Sequence, residues 1–215
     1  MSPSERMEAA TAERAELAGL LGSLDRPQWD LPTPCRRWTV RDVAVHVISY
    51  DDLPVPRAVA TVLRSSGSVG RANDRTLRLW DGVGPDEVLE AYRSRLRPRG
   101  LTALGGARIG FLDGLIHHQD VRRAVGRPRE VPPDRLLAAL AAVRGAPVLP
   151  ARALTRGLRL VADDVPWQQG DGPEVRGPGE ALLLTASGRD VALDELRGDG
   201  APLLAERVRA RDRAS

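Results

Sequence analysis

Lysine is absent from this 215-residue chain, so all 32 of its basic residues are arginines. That usage is read as the codon bias of a GC-rich genome. With 29 acidic residues interleaved among them, the net charge is only +3. A solvated, mixed-charge surface is expected, and no nucleic-acid partner. The arginines near the end (Arg207, Arg209, Arg211 and Arg213) read as a solvated helix terminus. A single cysteine, Cys35, excludes an internal disulfide framework and fits a reducing compartment. Aromatic residues make up 3% of the chain, so its core must be built from Leu, Val and Ala, which favours helices over a β-sandwich. No apolar run approaches the roughly 20 residues needed to span a bilayer. The opening Met1-Ser2-Pro3-Ser4-Glu5-Arg6 has no signal-peptide core, so a cytoplasmic location without a membrane partner is expected.

What is present suits a folded enzyme-sized chain. The hydrophobic share is 42%, enough for a substantial core. Leucine and alanine recur on a helical period over residues 4–24. A loop rich in Pro and Trp follows, from Pro27 to Trp38. Thr39 then opens a second helix as an N-cap, with Asp42 three residues on in an acidic variant of the capping box. Val40, Val43, Ala44 and Val47 mark its buried stripe, with His46 beside it. Pro54 and Pro56 end that helix. A short helical piece is expected to about Ser65, then a Gly/Ser loop from Ser65 to Gly70, then helices over 72–80 and 85–97.

A long helix is predicted over 106–125. Arg122 and Arg123 complement its C-terminal dipole, and Gly126 stands at the C′ position. Gly106, Gly110 and Gly114 recur every four residues, which points to close approach by a neighbouring helix or a ligand. Beyond Pro128, residues 133–145 read as another helix. Strands are expected over 157–162 and 174–176, and helices over 180–187 and about 199–209. The fold class is therefore mainly α: a helical bundle over residues 1–148, then a small α/β unit over 149–215.

The chain has three histidines. Asp113 and His117 are four apart on the long helix and face the same way. His46 comes from a separate helix, and the three side chains together match a catalytic zinc site with one open position. Facing helices of a bundle are a normal place for such a site. Spacing alone fits a weak surface ion pair between Asp113 and His117 better than it fits metal ligation. Asp120 shares their face, at roughly 60° from His117, where it can orient an imidazole or hold a water. His118, about 100° from His117, is expected in solvent or beside the site, and Cys35 as a small packed hydrophobe.

The segment Thr33-Pro34-Cys35-Arg36-Arg37-Trp38-Thr39-Val40-Arg41-Asp42-Val43-Ala44-Val45-His46 resembles a signature of the mycothiol-dependent maleylpyruvate isomerase family. The stretch from Asp113 to Pro128, including His117-His118-Gln119-Asp120-Val121-Arg122-Arg123, resembles that family's second signature. Gly172-Pro173-Glu174-Val175-Arg176-Gly177-Pro178 and Glu180-Ala181-Leu182-Leu183-Leu184 resemble its C-terminal domain. The resemblance implies a DinB-like four-helix bundle followed by a small α/β domain. It also implies a divalent metal, usually zinc, held by a helix-two histidine and a Glu-x-x-x-His pair. Those positions fall on His46, Asp113 and His117. Aspartate thus stands where the family pattern has glutamate, one methylene shorter, and ligates only if the backbone lies nearer.

The same resemblance implies mycothiol as thiol cosubstrate and a small electrophilic substrate. A metal-activated thiolate would add to a conjugated cis double bond, allow rotation, and leave to give the trans isomer. S-transfer to an electrophile needs the same activation. Asp120 is the expected catalytic auxiliary. Arg176, with Arg122 or Arg123, is a candidate clamp for substrate carboxylates. The alternative is a non-catalytic DinB-like binding protein with a degenerate metal site.

Overall fold

The computed structural model describes residues 1–35, 37–53 and 69–213, together with Pro56 and Ala60. It divides into two compact units, Met1–Pro128 and Arg129–Ser215. The expected boundary after residue 148 placed the 133–145 helix in the bundle. In the structure that helix belongs to the second unit, where it packs on a later, largely buried helix.

The first unit is built from five described helices: α1 (Pro3–Leu21), α2 (Val40–Ser49), α3 (Val69–Arg78), α4 (Pro85–Arg93) and α5 (Leu104–Ala124). The short helix and the Ser65–Gly70 loop expected between α2 and α3 lie almost wholly outside the described residues. α1 runs along α5, while α2 packs on α3, α4 and α5. Apolar side chains spaced on a helical period close the core. Leu17 and Leu21 from α1 meet Val40, Val43, Ala44 and Val47 from α2, Val88 and Tyr92 from α4, and Val121 from α5. α2 starts as the sequence predicts. The Thr39 hydroxyl accepts from Asp42 N–H, and the Asp42 carboxylate accepts from Thr39 N–H, at 3.2 and 2.9 Å.

α5 differs at its start. Gly105, Gly106 and Ala107 have φ of 61°, 69° and 59°, a left-handed turn ahead of the regular helix. An L-residue in that region costs about 1–2 kcal/mol, and glycine carries two of the three positions. A Cβ on Gly106 would meet Pro3 Cβ at 2.7 Å, and Arg6 Nε donates to the Gly106 carbonyl at 2.9 Å. Gly106 therefore does not extend a straight stripe with Gly110 and Gly114; its glycine serves the turn and the approach of α1. The far end closes as expected. Gly126, at φ 65°, lets Arg127 N–H return to the Arg122 carbonyl at 2.9 Å, and Gly126 N–H return to Arg123.

The second unit comprises α6 (Pro133–Val143), the short α7 (Ala151–Leu154), β1 (Arg159–Ala162), β2 (Gln168–Gln169), β3 (Glu174–Gly177), α8 (Gly179–Ala186) and α9 (Ala201–Arg213). The strand order is β2-β1-β3, with β1 antiparallel to β2 and parallel to β3. The two-residue strand β2 has no alternating pattern and escaped the sequence reading. α8 packs on α6 and on β1 and is buried on every described residue but Glu180.

Two glycines of α5 separate packing from propensity. A Cβ on Gly110 would meet the Thr102 carbonyl at 2.9 Å and Pro98 Cβ at 3.1 Å, whereas one on Gly114 meets nothing within 4 Å. Gly110→Ala is expected to destabilise the protein. Gly114→Ala should stabilise it by up to about 1 kcal/mol through helix propensity. Denaturant unfolding of the two variants checks this, and shifts of the same sign would contradict it.

Candidate metal centre

His46 sits on the core side of α2, in its last turn, and is 8% exposed. α5 crosses opposite and carries Asp113, His117 and Asp120 on one side. His46 Nε2 lies 3.4 Å from Asp113 Oδ1, and His117 Nε2 lies 3.5 Å from the same oxygen. The two imidazoles meet edge to face, centroids 5.0 Å apart. The structure thus brings together the three residues singled out from the sequence, buried apart from the Asp113 carboxylate, which is 29% exposed. Asp113 is therefore no surface ion pair with a single histidine.

The spacing suits a cation better than hydrogen bonds. N–H···O bonds cluster between about 2.7 and 3.2 Å, and both contacts to Asp113 are longer. Donors at about 2.0–2.1 Å from a tetrahedral ion are separated by roughly 3.3–3.4 Å, close to both distances. The chemistry of the set, two imidazole Nε2 atoms and one carboxylate oxygen, is that of a three-ligand zinc site. The shorter aspartate is accommodated because its oxygen already reaches both rings.

Asp120 completes the support. Its carboxylate, fully buried, lies 2.9 Å from His117 Nδ1. The ring's Nδ1–H donates to it, which turns Nε2 toward Asp113 and His46. Trp38, from the loop before α2, lies against both rings, with centroids 4.5 Å from His46 and 5.7 Å from His117. Tyr50 stands edge-on to His46 at 6.2 Å, and its hydroxyl donates to Asn73 at 2.7 Å. Trp38 and Tyr50 were not picked out as site residues. The sequence signal for Trp38 was its place just ahead of the Thr39 N-cap.

Among the described residues two other donor groups occur: Cys35 with His117 and Asp120, and Glu13 and Glu16 with His118. In the former, His117 Nδ1 is committed to Asp120. In the latter, His118 Nδ1 lies 2.9 Å from Glu13, and His118 Nε2 accepts from Arg122 Nε at 2.9 Å. His118 is fully buried rather than solvated, because α1 supplies an acid opposite it. Cys35 is half-buried, packs on the α1–α2–α4 core as expected, and also lies near His117 and Asp120. Arg176 belongs to the second unit, where its guanidinium donates to Glu174 at 2.8 Å and to Asp163 at 3.3 Å.

Electrostatics reinforce the trio. Burial opposes a charged imidazole at His117, but the charges and hydrogen bonds of Asp113 and Asp120 outweigh it and raise the ring from 6.5 to about 9. Burial likewise opposes ionisation of Asp113, yet His46 and His117 hold its carboxyl well below the usual range. Without a cation, a proton on His117 takes part of the cation's electrostatic role, and metal binding must displace it.

Residues 10–105 match the family described as the mycothiol maleylpyruvate isomerase N-terminal domain, a match that ends before Asp113. Among solved structures, the chain is similar to the crystal structure of the mycothiol-dependent maleylpyruvate isomerase. The TM-score is 0.60 at 18% identity, over 94% of this chain and 94% of that one. It is also similar to a histidine-to-alanine mutant of the mycothiol-dependent maleylpyruvate isomerase, with a TM-score of 0.56 at 15% identity and the same coverage of both chains. No curated protein matches the sequence significantly. No described helix is long and apolar enough to cross a membrane.

The raised pKa of His117 has a consequence for stability. A folded pKa of about 9 against 6.5 means that the metal-free protein gains stability from this group fully below pH 6.5 and loses it as pH rises through about 9. Histidine-resolved NMR of the metal-free protein should show the His117 ring titrating near pH 9. Titration near 6.5 would contradict the pairing described.

The capped α2 and most of the helices around it lie within residues 10–105, so this part of the chain is similar to the mycothiol maleylpyruvate isomerase N-terminal domain, and the fold is shared with the solved isomerase over 94% of the chain.

Proposed function

We propose that the protein is a metal-dependent enzyme that uses a low-molecular-weight thiol, mycothiol in the family that its residues 10–105 resemble. It would carry out cis–trans isomerisation or S-transfer on a small electrophilic molecule. The observation that carries this reading is the pair of 3.4 and 3.5 Å contacts from two imidazole nitrogens to one oxygen of Asp113. His46, Asp113 and His117 would hold a divalent cation, for which zinc fits the donor types. When bound, such a cation supplies a positive charge and a vacant coordination position that lower the pKa of a thiol.

The chain's own residues do the rest. Asp120 keeps His117 in the tautomer that presents Nε2 and raises its basicity as a donor. Trp38 lies over one side of both imidazoles and limits the water that reaches them. The partly exposed edge of Asp113 leaves one approach to the donors. Thiol addition and elimination across a conjugated double bond need no further acid than the proton that the thiol itself gives up. The same site therefore serves isomerisation and S-transfer, and the substrate decides between them.

Metal analysis of protein purified without chelators is expected to give one zinc per chain. His46→Ala and His117→Ala should lose it together with thiol-dependent turnover of a maleyl-type substrate, while Asp120→Ala should weaken metal binding by about 10- to 100-fold. Folded, zinc-free wild-type protein, or turnover that needs no thiol, would overturn the proposal.

A further inference from the structure

Two adjacent charged residues on α1, Glu13 and Arg14, are 0% and 1% exposed. Charged side chains are almost never buried this completely unless paired. Both are paired, and with different helices. Arg14 donates to the Val47 carbonyl at 2.8 Å and bidentately to Asp51, which follows α2. Asp51 in turn accepts from the Thr102 hydroxyl at 2.6 Å, ahead of α5. Glu13 accepts from His118 Nδ1 at 2.9 Å. Val47 is the residue after His46, and His118 is the residue after His117.

The protonation of His118 follows from its partners. Arg122 can only donate, so His118 Nε2 must be the accepting nitrogen. Nδ1 therefore carries the hydrogen and donates to Glu13. Both ring nitrogens are thus taken, and Arg122 extends the chain to the Arg127 carbonyl at the C-terminal cap of α5. Successive residues on a helix point about 100° apart, which is how one turn of α1 reaches both helices.

Buried ion pairs add little net stability compared with apolar side chains of the same volume, and their best-attested use is to set register. A metal site tolerates little slack. Turning α5 by one residue would swing His117 by about 100° away from His46. We infer that Glu13 and Arg14 form a clamp on α1 that sets the separation and rotation of the two histidine-bearing helices. They are positioning residues for the cation site and touch neither cation nor substrate. The inference rests on the cation-site reading for its purpose, though not for its geometry.

The test uses the full-length chain and two readouts. In metal-free protein, an NOE between the rings of His46 and His117 reports their separation. Cobalt(II) substitution reports coordination geometry and affinity through its d–d spectrum. Glu13→Gln keeps an acceptor for His118 and should retain the NOE, the tetrahedral cobalt spectrum and the affinity. Glu13→Ala, studied where it is fully folded, should lose the NOE and bind cobalt about tenfold or more weakly. Where Glu13→Ala does not fold, the double variant Glu13→Leu/His118→Phe replaces both partners by apolar groups. That keeps the fold near neutral in stability while removing the clamp, and it should show the same losses. A folded Glu13→Ala or double variant with an unchanged NOE overturns the clamp, as does a wild-type protein with no NOE. Wild-type protein that binds no cobalt overturns the cation reading alone, because the NOE still decides the clamp.

Discussion

The candidate site depends on one constraint: the contact between α2 and α5 that brings two imidazole nitrogens to within 3.5 Å of a single carboxylate oxygen. Neither helix makes that arrangement alone. α5 supplies Asp113, His117 and Asp120 through the helical repeat, and His46 must be delivered from 67 residues earlier in the chain. The packing that delivers it is ordinary. Val40, Val43, Ala44 and Val47 bury one stripe of α2, and His46 is carried to the edge of that stripe. The charged pair on α1 adds what apolar packing lacks, a directional contact to each helix next to its histidine.

Electrostatics and geometry at the site agree. A buried imidazole between two acids is held protonated, and a partly exposed acid between two imidazoles is held ionised. Such a pair is poised to exchange a proton for a metal ion. Aspartate in place of the glutamate that the resemblance implies matters less than its length suggests. The Asp113 oxygen lies at a comparable distance from both rings, so the missing methylene is made up by the positions of the helices rather than by the side chain.

Much of this was legible in the sequence because it is local. The Thr39–Asp42 capping box, the Gly126 closure of α5 and the shared face of Asp113, His117 and Asp120 all follow from contacts within a few residues. What was not legible depends on distant chain. His118 reads on a helical wheel as lying in solvent or beside the site, yet Glu13, 105 residues away, makes it a buried hydrogen-bonding residue. Gly106 reads as part of a helical stripe, yet the approach of Pro3 and a left-handed turn decide its conformation. The 133–145 helix reads as a bundle helix because its Leu/Ala pattern names no partner, and α8 provides one. Trp38 was visible as a residue but not as a wall of the site, since ring contacts depend on how the loop returns over α2.

X-ray absorption at the zinc edge, on zinc-loaded protein without added thiol, tests the central claim most directly. The account predicts a shell of nitrogen and oxygen donors at about 2.0–2.1 Å with the outer-shell scattering of two imidazoles, and no sulfur. A sulfur donor at about 2.3 Å would move the ion to Cys35. A single imidazole, or no tightly held zinc, would separate His46 from His117 and contradict the convergence on which the functional reading stands.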